Sequence, residues 1–288
     1  MTIDPFTAAL VVGAVGGAAQ SVTQAVVDLA RGLFTSADGG EYSEQALATA
    51  QANAANLITD LTARVQRIED EQQDEETKQS IRETLADPDF SYLVRDALAG
   101  AARTSDLEKI GMLARLVSER LLIGGETVLA LATRQAVETI PLLTVRQLRI
   151  LGLVVTVERI RPQSAPPINT EEGRAFWIEW WRAALSESLP LGSTPTLVDG
   201  EHLAATGCAS YTPFMGRGTA ADFVVHMMEP ADQASPVVAQ ILEEPQGKLL
   251  VEAWADPVPN LQLTTVGALI GTHVHDERAG QRTRFDWD

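Results

Sequence analysis

Between Ser43 and the acidic run that begins at Glu69, the residues Leu47, Ala50, Ala54, Leu57, Leu61, Val65 and Ile68 recur three and four positions apart. That spacing gathers into one stripe only at the 3.6-residue period of an α-helix; on a strand it scatters over both faces. A helix carrying so long a seam, coiled-coil in character, must bury it against other helices, so the rest of the chain has to supply them. With 45% hydrophobic and 21% charged residues the chain has enough apolar material for a folded core. Its 288 residues fit one large or two modest domains. The expected fold is mainly α, with long N-terminal helices and a helical bundle.

A second seam precedes the first. No charged residue occurs from Pro5 to Val27, and Val11, Val15, Ala18, Val22, Ala25, Leu29 and Leu33 alternate four and three apart. The strongly apolar part runs only from Ala8 to Ala19, short of the about 20 residues a bilayer span needs. Val11, Val15, Val22, Leu29 and Leu33 are therefore expected on an oligomerisation helix, buried in this fold or against a second copy. Insertion into a membrane on activation is the alternative, and a disordered tail the third reading. The run Glu69–Glu76, with six acidic residues in eight, reads as a solvated helix end because its spacing builds no oxygen cage for a cation.

Helix boundaries are written in cap residues. Asp87-Pro88-Asp89 stops one helix and starts another, with proline suited to the first turn and aspartate to the positive helix end. Ser105-Asp-Leu-Glu108 and Thr144-Val-Arg-Gln147 read as capping boxes, the second opening a helix bearing Leu148, Leu151, Val154 and Val155. A helix from about Glu126 to Ile140 lies between Gly124-Gly125 and Pro141. Three prolines from Pro162 to Pro167 resist both helix and central strand and mark the best domain boundary. The expected organisation is an apolar helix and linker over 1–40, a helical bundle over 41–161 and a small α+β, winged-helix-like domain over 162–288.

In that last domain Trp177, Trp180 and Trp181 share one side of a helix. They are expected to pack a core or interdomain contact, with a partner-binding aromatic stripe as the other reading. A helix over Leu197–Thr206 ended by Gly207, a strand over Cys208–Thr212, a strand over Leu249–Trp254 and a last helix capped by Thr264 or Thr265 complete it.

Chemistry-bearing motifs are few. There is no phosphate-cradling P-loop, no G-x-S-x-G elbow and no His-Glu-x-x-His helix, and Gly216–Ala221 follows no βαβ strand. His202, His226, His273 and His275 lack the spacing of a zinc site, and Cys208 lacks a paired base by sequence. No catalytic, metal-binding or cofactor-binding residue is expected, and the protein is read as non-enzymatic with no cofactor. The net charge of −17 repels polyanions at long range and weighs against nucleic-acid binding. Only residues 101–161, with nine basic and six acidic side chains, offer a basic surface. One cysteine and no secretory cleavage pattern point to the cytoplasm.

The segments Ala86–Tyr92, Ala101–Asp106, Leu113–Arg120, Ala136–Pro141, Leu143–Leu148 and Leu261–Ile270 together resemble a bacterial family of largely uncharacterised proteins. The arrangement is also similar to Abi-alpha, the abortive-infection alpha proteins, with the resemblance running from about residue 42 to about 275. The resemblance implies a helical region followed by a compact winged-helix-like end, and a place among phage-defence genes. It supplies no catalytic residues. On this basis the expected protein is a defence-associated, homo-oligomerising helical platform whose C-terminal domain senses a trigger or binds a phage or host protein. A membrane-disrupting effector and a winged-helix nucleic-acid-binding regulator are the two rival expectations.

Overall fold

The seam that begins at Leu47 folds as one helix, α1, Glu44–Glu71, with Ala50, Ala54, Leu57, Leu61, Val65 and Ile68 all buried. A computed structural model describes residues 44–71, 74–85, 87–123, 127–160, 164, 166–193, 195–211, 234–245, 247–252 and 261–279. Val11, Val15, Val22, Leu29 and Leu33 lie outside the described residues, as does His226. The chain divides into two units, Met1–Leu142 and Leu143–Asp288.

In the first unit α1 packs on α3, Pro88–Ala102, and α4, Leu107–Glu119. The short α2, Glu75–Leu85, opens from Asp74, whose carboxylate accepts hydrogen bonds from the Thr77 hydroxyl and the Thr77 and Glu76 amides. Those bonds, the Thr77 hydroxyl foremost, hold its pKa below the ordinary value. The acidic run thus splits between the end of α1 and the start of α2. Asp87 caps α3 by accepting from the Asp89 amide, and Pro88 occupies the first helical turn, as its fixed φ favours. At α4 the expected Ser105 cap is corrected by one residue. Thr104 Oγ1 accepts from the Asp106 amide, and the Asp106 carboxylate takes the Glu108 amide, so Asp106 is the cap. A 3₁₀ turn, Arg120–Leu122, follows, and then α5, Val128–Thr139, capped by Thr127 and continued by a second 3₁₀ turn, Ile140–Leu142.

The second unit begins with α6, Val145–Ile160, and continues through α7, Glu171–Glu187, and α8, Leu197–Ala205. After β1, Ala209–Tyr211, come α9, Ala234–Glu243, α10, Gly247–Glu252, β2, Leu261–Leu263, and α11, Thr265–Ala279. The two strands pair antiparallel, with Ala209 opposite Leu263 and Tyr211 opposite Leu261. Helix α6 packs on α11, and α7 on α9 and α10.

Two of the expectations concern this unit. The two units meet in sequence between Leu142 and Leu143, and α6, expected at the end of a bundle over 41–161, packs on α11. Nearly every side of α6 is buried from Leu148 to Val157, as an apolar-all-round helix requires. At Gly152 an added Cβ would stand 2.6 Å from Val274 Cγ1, and at Gly271 2.5 Å from the Leu151 carbonyl oxygen, so the two helices meet almost backbone to backbone. The described end of the proline stretch is tied within this unit: Ile168 is buried, the Trp177 indole donates to the Pro166 carbonyl, and Thr170 Oγ1 donates to that of Pro167. The expected strand at Leu249–Trp254 is helical over its described part, in α10, and the second strand is β2. A short apolar run suits a strand or a buried helix equally, and contact with α7 and α9 selects the helix.

Candidate functional site

Helix α5 has two apolar faces. Ala132, Ala136, Val137 and Ile140 are buried, while Val128 and Leu131, one turn apart on the far side, are 74% and 63% exposed. Gln135 and Glu138 continue that outer stripe at four- and three-residue steps. Leu142, just past the helix, is also exposed. The Arg134–Glu138 pair, 3.5 Å apart and open to solvent on both sides, borders the stripe. The N-terminal half of the stripe is therefore apolar and its C-terminal half polar. This surface was missed in the sequence, although Val128 and Leu131 stand at helical spacing opposite the core positions and could have signalled it.

The tryptophans have another role. Trp181 is fully buried and Trp177 nearly so, whereas Trp180 is half-buried. The Trp177 ring meets Phe176 and Trp180 edge-on at 5.6 and 5.4 Å, and stands 6.3 Å from Trp181. Trp177 and Trp181 thus lie in the packed interior of the second unit.

The basic side chains of residues 101–161 are largely engaged. Arg115 pairs with Glu119 at 3.0 Å, Arg146 with Asp199 at 2.8 Å and Arg159 with Asp276 at 2.6 Å. Arg149 donates to the Pro190 carbonyl and Arg120 to that of Ile123. Asp199 is the most connected of the acidic partners. Its carboxylate caps α8 through the Thr196 amide and hydroxyl, and accepts from Arg146 and from Gln147 Nε2. Gln147 in turn closes the expected box at the start of α6, accepting from the Thr144 amide while Thr144 Oγ1 accepts from its own. Burial raises the Asp199 pKa, but the Thr196 amide, Arg146 and the Thr196 hydroxyl together hold it below the ordinary carboxylate value.

His273 is buried on α11, while His275, half-buried, places Nδ1 2.8 Å from Thr156 Oγ1. Among the described residues no group of three His, Cys, Asp or Glu side chains is placed to hold a metal ion. Cys208 is buried beside β1, and burial pushes its thiol pKa up, away from the reactive thiolate. Among the described residues no helix is long and apolar enough to cross a membrane.

A protein-family model matches residues 20–229, more than half of the chain. The chain belongs to this family. The match takes in every described element from α1 to β1 and stops before α9, so both the α5 surface and the Asp199 junction fall within the family region. No curated protein and no solved structure matches the chain.

Proposed function

We propose that the protein is a non-enzymatic, cytoplasmic, defence-associated protein of bacteria that self-assembles through its helical N-terminal part. The second unit, read as winged-helix-like from β1, β2 and their flanking helices, senses a trigger or binds a phage or host protein. The observation that carries the reading is the exposed pair Val128 and Leu131 on α5. Complete burial of such side chains stabilises a contact by about 1.5–3 kcal/mol each. A twofold pairing of identical faces doubles the number of side chains buried and needs no second kind of surface. The defence setting rests on the resemblance to Abi-alpha proteins read from the sequence alone. The net charge of −17, together with the internal pairing of Arg115, Arg146 and Arg159, favours a protein partner over a nucleic acid.

The uncharged stretch Pro5–Val27 favours one rival, an effector that disrupts membranes once its first helix is released. Dye release from liposomes by the full chain, and none by a chain starting at Glu41, would support that rival. The defence reading is tested by phage challenge of cells carrying the intact gene or the Leu131→Glu variant. Protection by the intact gene that is lost with the variant supports a platform acting through α5. Equal survival of cells with and without the intact gene, across a broad phage panel, would remove the defence assignment.

A further inference from the structure

We draw no further inference here: the strongest candidate outside the α5 surface, the tryptophan cluster of α7 in which Trp181 Nε1 is buried without a hydrogen-bond partner, carries nothing because Trp177 and Trp181 belong to the packed core and nothing in the structure shows what would occupy a site beside them.

Discussion

Asp199 concentrates more polar bonding than any single sequence motif advertised. Because its folded pKa is lowered, its ionised form contributes stability that is present above the unfolded value, about 3.9. That contribution is lost as pH falls through the lower folded value. Asp199→Asn is expected to cost about 2–4 kcal/mol near neutral pH, since it leaves Arg146 and the Thr196 amide facing a weaker acceptor. The deficit should narrow below the unfolded value, where the unfolded parent chain takes up a proton that the folded carboxylate resists. Denaturant midpoints of both proteins at about pH 7 and about pH 2.5 measure this; an equal deficit at both would contradict it. The reason this residue escaped the sequence reading is distance along the chain. Thr144 and Gln147 are legible as a box because both partners lie within one turn, whereas Arg146 and Asp199 are 53 positions apart. The tryptophans show the reverse case: their shared side was legible, but spacing alone does not tell an inward face from an outward one.

At the scale of elements, the α6–α11 crossing depends on two glycines rather than on the polar pairs beside it. An Ala at position 271 would put Cβ 2.5 Å from the Leu151 carbonyl oxygen and 2.8 Å from Val155 Cγ2, and a backbone oxygen cannot rotate away. Gly271→Ala is expected to cost about 3 kcal/mol through overpacking. At Gly192 nothing lies within 4 Å, and the only penalty is the positive φ of 77°, worth about 1 kcal/mol for a residue with a Cβ. Thermal melts of the two variants should therefore separate clearly; matching losses would mean the helices are not in backbone contact. The cap residues Asp87, Thr144 and Gly207 were legible because each acts on its own turn. Gly207, at φ 73°, ends α8 with the Cys208 amide bonded to the Leu203 carbonyl and its own amide to that of Ala204. The helical state of α10 was not legible, since six residues are too few for periodicity to decide and its neighbours come from elsewhere in the chain.

For the whole molecule, the placement of α6 makes a prediction about where the chain divides. A chain covering residues 143–288 is expected to unfold cooperatively in urea, whereas one covering 162–288 loses α6, exposes the α11 face and should lack a cooperative transition. Cooperative unfolding of the shorter chain with undiminished stability would restore the boundary at the prolines. Proline content reports local backbone stiffness, while unit membership follows from which helices share a core. The central claim, self-assembly through α5, is tested most directly by light scattering coupled to size exclusion across micromolar concentrations. The parent is expected to elute as an oligomer and Leu131→Glu as a monomer that still unfolds cooperatively, at a lower melting temperature by the lost assembly energy, because Leu131 is 63% exposed and lies outside the buried core. A parent that is monomeric at every concentration, or a Leu131→Glu variant that remains oligomeric, would contradict the account.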